Sequence, residues 1–342
     1  MITKSECSAL RGIAIIAICL HNYCHLLPNS VQENEFSYDA HNFFQLGEKL
    51  FSYDFLIQMF SFWGHLGVPI FVFLSGYGLS RKYNNISVNR NRFFFDHFKK
   101  LAFPLIIGTF FFLIILFFKE GGVYCSPVAM ALQLSMLLNL FYGYEDYIIP
   151  GPYWYFGMTL QLYIIYIIFI YKQSIKLALL PLITSIILTL FLKDFKEVLI
   201  WTKYNCIGWL MPFYLGLYAK YIKNTFIEKP VLHWGLFVSF LIIVIFETNF
   251  YLWIWIPSIT IIPAVFFIKL IHSRLLRFLD IIGKYSLIIF VTHPIIREIT
   301  IPIAYTNYPI IGLSAYCLGT MFVTLIVIFL KNMLFQPNII KK

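Results

Sequence analysis

LAFPLIIGTFFFLIILFF, residues 101–118, runs 18 residues without one charged side chain. That is enough helix to cross most of the hydrocarbon core of a bilayer. Reading outward from it, comparable apolar stretches recur at about 9–27, 58–80, 153–171, 177–192, 204–219, 232–248, 251–268, 285–296 and 309–330, separated by short polar interruptions. The composition agrees: 60% of the 342 residues are hydrophobic and 12% charged, and the mean hydropathy is +0.78, outside the range of soluble domains. Backbone groups inside lipid must be satisfied within the segment or in a closed barrel. These runs are too long and unbroken for the alternating pattern of barrel strands. The expected fold is all-α, a polytopic transmembrane bundle of about ten spans.

The net charge of +10 would suggest a nucleic-acid partner in a soluble protein, but here its distribution follows the spans. All of the 26 lysines and arginines except Lys49, Lys119, Lys193, Lys196, Lys203 and Arg297 fall on the side that holds both termini. By the positive-inside rule that side is cytoplasmic, and the charge reports topology rather than nucleic-acid binding. The N-terminal run contains Glu6 and Arg11 and leaves through Leu27, Pro28, Asn29 and Ser30, with no small-residue cleavage pattern, so it reads as a retained first helix. Six cysteines without a CxxC pair make no disulfide framework.

The whole of 1–342 reads as a single membrane-embedded domain. Residues 81–100 form a basic cytoplasmic loop and 119–152 a long extracytoplasmic loop, while 28–57 make a second long outer connection; loops of this length are usually functional. Within 119–152, residues 127–141 are apolar but short, and read as an interfacial or re-entrant helix.

The first span carries the chemistry: LRGIAIIAICLHNYCH, residues 10–25, places Arg11, His21 and His25 in one membrane helix. Ionisable groups there are expensive and are functional candidates by default. Arg11 and His21 stand about 15 Å apart along the axis, so each can meet a ligand from its own side. Histidine titrates near pH 6.5 and suits a general base; arginine suits a phosphate or a developing oxyanion. Metal or haem ligation by His21 and His25 beside Cys19 and Cys24 is a weaker reading, because no further ligand has a fixed spacing to them. Walker motifs and a nucleophile elbow are absent.

The opening Leu10, Arg11, Gly12, Ile13, Ala14 followed by an apolar run and His21 resembles the acyltransferase-3 family of integral membrane O-acyltransferases, which pairs a basic residue with a histidine in its first helix. GHLGVPIFVFLSGY at 64–77, PYWYF at 152–156, and Gly283, Lys284, Tyr285 and Ser286 leading to His293 and Pro294 are similar to further family motifs, in family order. One departure is that nine residues, not ten, separate Arg11 from His21. That sets them about 80° apart around the helix instead of about 20°. His25, one turn beyond His21 on the same face, is the second candidate base.

The resemblance implies transfer of an acyl group, usually acetyl, from cytoplasmic acyl-CoA to a hydroxyl of an extracytoplasmic glycan or glycolipid, in a multi-pass protein of the bacterial inner membrane. No cofactor is expected to be permanently bound, and the partners are membrane lipid, acyl-CoA and the glycan acceptor. His21, Arg11 and His25 are the expected catalytic residues. Arg81, Lys82, Arg90 and Arg92 are expected to receive the coenzyme A phosphates, though a basic loop is also the ordinary mark of topology. His65, Ser75, Tyr77 and Trp154 are expected to line the substrate site. A secondary transporter or a flippase of lipid-linked sugars is the alternative, equally suited to ten helices but poorly matched by middle spans almost devoid of ionisable groups.

Overall fold

The computed structural model describes residues 2–83, 86–122, 125–221, 228–305 and 309–335. Lys223, Lys341 and Lys342, part of the basic excess, lie outside the described residues. Among the described residues there is no strand, and nine helical segments are long and apolar enough to cross a membrane. The chain is therefore a multi-pass membrane protein.

Helix α1, Lys4–Cys24, starts on a capping box in which the Thr3 hydroxyl accepts from the Glu6 amide and the Glu6 carboxylate accepts from the Thr3 amide. The outer connection carries α2, Ala40–Glu48, and leads to α3, Phe55–Trp63. A 3₁₀ turn, Gly64–Leu66, joins α3 to α4, Gly67–Lys82. Helix α5, Arg90–Glu120, is one continuous rod through Pro104, and Gly121 ends it in the left-handed conformation, φ 71°. The basic segment 81–100 is thus mostly helical from Arg90 onward. Helix α6, Pro127–Leu134, is only eight residues long, about 12 Å. Then come α7, Trp154–Ile165, and α8, Ile175–Phe191.

The expected span 204–219 begins at a break, after which 206–221 is helical. Helix α9, Lys196–Tyr204, ends at an extended Asn205, whose side chain caps a 3₁₀ turn, Cys206–Trp209; α10, Leu210–Tyr218, continues from there. Helices α11, Lys229–Phe246, α12, Phe250–Trp253, α13, Ile256–Ile259, and α14, Ile261–Leu270, follow. Helix α15, Ser273–Lys284, occupies a stretch that reads as polar loop in the sequence; α16, Ser286–Ala304, runs eight residues past the expected end at 296, and α17, Pro309–Phe335, closes the fold.

Burial sorts these helices into two groups. One face of α5, α8, α11 and α17 is exposed Phe, Ile and Leu, including Phe110, Ile187, Phe237 and Phe322, which lipid covers. Helices α1, α4 and α7 are mostly enclosed. Glycines let their backbones approach: a Cβ on Gly12 would stand 2.2 Å from the Leu279 carbonyl oxygen, and one on Gly76 would stand 2.3 Å from that of Phe213. At the start of α1, Glu6 pairs with Lys269 at 3.2 Å and the Ile2 carbonyl accepts from Tyr77 at 3.3 Å, so α4 and α14 end where α1 begins. Helix α17 starts beside the far end of α1, where Tyr316 stacks on Tyr23 at 4.8 Å. It then runs back along α16, past Thr292, so both ends of the described chain share one face, called here the terminal face.

Candidate active site

A cavity of about 320 Å³ crosses the enclosed core. At the terminal face Arg11, Leu101, Gly283 and Lys284 line its mouth; Ser75, Tyr155, Thr159 and Tyr163 line its middle; His21, Glu35, His65 and Trp154 line its far end. Arg11 and His21 therefore share one cavity although α1 is an uninterrupted helix and sets them about 80° apart. The cavity is wide enough to take up that angle without a kink.

His21 is buried and held at one ring nitrogen. Nδ1 lies 2.9 Å from the Ser61 carbonyl oxygen; a carbonyl only accepts, so Nδ1 carries the proton and Nε2 presents a lone pair. Nε2 faces Glu35 Oε2 at 3.8 Å, with both side chains about 5% exposed. The ring of His65, placed by the 3₁₀ turn between α3 and α4, meets His21 edge-on at 5.5 Å. His25 is not on the cavity wall: it stacks on the outer side of His21 at 4.8 Å and its Nδ1 contacts the His21 carbonyl at 2.8 Å. His293 is fully buried but also off the wall. Among the described residues no three His, Cys, Asp or Glu side chains are grouped as a metal site.

Behind Glu35 lies Lys203, 2% exposed, with its ammonium 4.4 Å from the centre of the Trp253 ring. Burial, reinforced by Glu33, drives the Glu35 carboxyl well above the ordinary carboxylate range, against the pull of Lys203. Burial likewise pushes Lys203 down to about 8, against the pull of Glu35. Trp154 borders the far end, stacked on Trp209 at 5.5 Å.

Of the expected substrate residues, His65, Ser75 and Trp154 line the cavity and Tyr77 does not. Tyr77 is two positions from Ser75, about 200° around the helix, and packs on Phe73 instead. Arg81, Lys82, Arg90 and Arg92 are also off the wall. Arg81 lies six residues, about 9 Å, beyond Ser75, and Arg90 and Arg92 begin α5 about 14–17 Å from its lining residue Leu101. Arg92 makes an exposed 3.9 Å pair with Asp96. The cations that do reach the mouth are Arg11 and Lys284. Sequence reading passed over Lys284, Glu35, Tyr155, Tyr163 and Lys203 as site residues. Lys284 sits in a quoted motif, and a lone lysine among outer aromatics was the only mark of Lys203.

A buried histidine held at Nδ1 thus lies at one end of a cavity in the enclosed core, with Arg11 and Lys284 at the other. Residues 6–333 match the Acyl_transf_3 family, an acyltransferase domain. The chain belongs to this acyltransferase-3 family and is a membrane acyltransferase. No curated protein and no solved structure matches it significantly. The transporter or flippase alternative has no comparable support.

Proposed function

We propose that the protein transfers an acyl group, acetyl in the first instance, from cytoplasmic acyl-CoA to a hydroxyl of an extracytoplasmic glycan or glycolipid. The observation that carries this reading is the single cavity joining Arg11 and Lys284 at one face to the free Nε2 of His21 near the other. The positive-inside bias makes the terminal face cytoplasmic, as in a bacterial inner membrane, so the donor enters past the two cations. Arg11 and Lys284 hold donor phosphates, and the acyl arm extends along Ser75 and Tyr155 toward His21. The more distant Arg81, Lys82, Arg90 and Arg92 raise the local concentration of anionic donor at that face without touching it.

The acceptor hydroxyl enters from the His65 and Trp154 end. His21 Nε2 takes its proton as the oxygen attacks the thioester carbonyl; the new C–O bond forms, the C–S bond breaks, and the departing thiolate receives that proton from His21. Burial strengthens each of these interactions by excluding water. His25 supports the His21 ring by stacking and is not the base.

The test is the acyl content of cell-surface glycans in cells carrying the wild-type chain, His21→Ala, His25→Ala or Arg11→Ala at equal membrane levels. The expected result is loss of acylation with His21→Ala, partial loss with Arg11→Ala and retention with His25→Ala. Acylation that survives His21→Ala at equal expression would overturn the assignment.

A further inference from the structure

Glu35 is placed where a histidine-orienting carboxylate does not belong. In a nucleophile, histidine and acid triad the acid holds the nitrogen remote from the reaction. Here the Ser61 carbonyl fills that position at 2.9 Å from Nδ1. Glu35 instead stands on the Nε2 side, 3.8 Å away, which is too far for a hydrogen bond to His21. Its other oxygen, Oε1, is buried without a hydrogen-bond partner among the described residues, and the carboxyl faces the cavity.

A buried, unsatisfied carboxyl is a cost to the fold, and structures retain such groups where a ligand completes them. Protonated or ionised, Glu35 keeps at least one oxygen that only accepts, and the ligand that completes it must donate within reach of Nε2. A hydroxyl captured by His21 has already committed its single hydrogen to Nε2. Glu35 therefore needs a different hydroxyl. Two oxygens on neighbouring carbons of a sugar ring stand about one hydrogen-bond length apart, and acceptors 3.8 Å apart meet such a pair side by side.

We propose that Glu35 is a specificity residue that binds the hydroxyl adjacent to the one being acylated, so that the acceptor presents a vicinal diol. His65, on the same end of the cavity, borders the diol from the α4 side, and Trp154 offers an aromatic face to the sugar ring. This inference rests on the acyltransferase reading above and adds the class of acceptor.

The test uses the full-length protein in lipid nanodiscs with acetyl-CoA as donor and three simple acceptors: cyclohexanol, cyclohexane-1,2-diol and cyclohexane-1,3-diol. Thiol release and ester formation are followed separately. The wild type is expected to acetylate the 1,2-diol with a kcat/KM roughly 10- to 100-fold above that of cyclohexanol, the worth of one or two hydrogen bonds, and the 1,3-diol is expected to fall near cyclohexanol. Glu35→Leu should collapse the ratio of 1,2-diol to cyclohexanol to about one, and Glu35→Gln, which still accepts and donates, should keep part of it.

Equal kcat/KM for the three alcohols in the wild type overturns the proposal whether or not any variant folds. So does a Glu35→Leu protein that loses both activities in the same proportion, because that marks a general base or a structural role. Thiol release with ester formed on no alcohol also overturns it while leaving the acyltransferase reading in place. Absence of thiol release from any acyl-CoA counts against that reading itself, and the diol proposal falls with it.

Discussion

Gly64→Ala is the substitution whose effect can be worked most directly from the structure. A Cβ on Gly64 would lie 2.6 Å from the Cβ of His21 and 2.8 Å from the Ala17 carbonyl oxygen. Ordinary contact begins at 3.4 Å, so the turn between α3 and α4 must withdraw from α1 by about 0.8 Å, the difference between 3.4 and 2.6 Å. Ser61 lies three residues upstream and moves with the turn. Its carbonyl bond to His21 Nδ1, now 2.9 Å, would lengthen to about 3.7 Å, beyond hydrogen-bonding range. The histidine then loses both its tautomer lock and its position, and a displacement near 1 Å costs about 100-fold in rate. Overpacking also costs about 1–3 kcal/mol of stability.

The assay is acetyl transfer by purified protein, normalised to the folded fraction seen in size-exclusion and thermal-melting profiles. Gly78→Ala is the control: it stands in helix α4, which follows that turn, its Cβ would meet nothing within 4 Å, and its rate should be unchanged. A Gly64→Ala protein that melts normally and turns over at the wild-type rate would refute the role given to the Ser61 and His21 contact.

Three further outcomes follow from the same geometry. Gly216→Val at the α4 and α10 crossing should deplete folded protein in detergent, because its Cβ would meet the Phe73 carbonyl oxygen at 2.0 Å and backbone has no way to yield; wild-type melting would contradict the crossing. Arg11→Met or Lys284→Met should raise KM for acyl-CoA about 10-fold, the worth of one charge-assisted bond, more than Arg90→Gln with Arg92→Gln does. A larger effect from the second pair, read in steady-state kinetics, would restore the basic segment as the donor site. Finally, the raised carboxyl of Glu35 gives a stability contribution that is complete below its ordinary value of 4.5 and lost as the pH rises through its folded value. Melting temperature should therefore fall with rising pH across that window, and Glu35→Gln, which resembles the protonated acid, should flatten the slope; an unchanged slope would show that Glu35 titrates normally.

Much of the fold was legible because a bilayer leaves a chain few options. Apolar runs such as 101–118 and 309–330 had to be helices, since no other single-segment structure satisfies its backbone in lipid. The histidine and arginine of α1 stood out for a related reason, as costly groups in a membrane helix. The segment 204–219 reads as one unbroken span by hydropathy. What separates its first residue from the rest is the Asn205 cap and a 3₁₀ turn, which hydropathy averages away. Helix α15 was hidden for the opposite reason: it is amphipathic, with charged Arg274, Arg277 and Lys284 masking the Leu279 and Gly283 face that packs on α1.

Sequence alone determined the helical membrane class and the family resemblance, and it singled out the first helix for the proposed base, because each depends on residue type and local spacing. Which cations reach the cavity, and which acid faces the histidine, were decided only by the tertiary structure. Arg81 is a loop charge like Lys284 in the sequence, yet it points away because α4 carries it about 9 Å past the last wall residue. Glu35 is 14 residues from His21 along an irregular outer loop, and no periodicity relates the two. Only the return of that loop over α3 and beneath Lys203 brings the carboxyl to 3.8 Å from the imidazole, and contacts of that kind are set by packing rather than by local spacing.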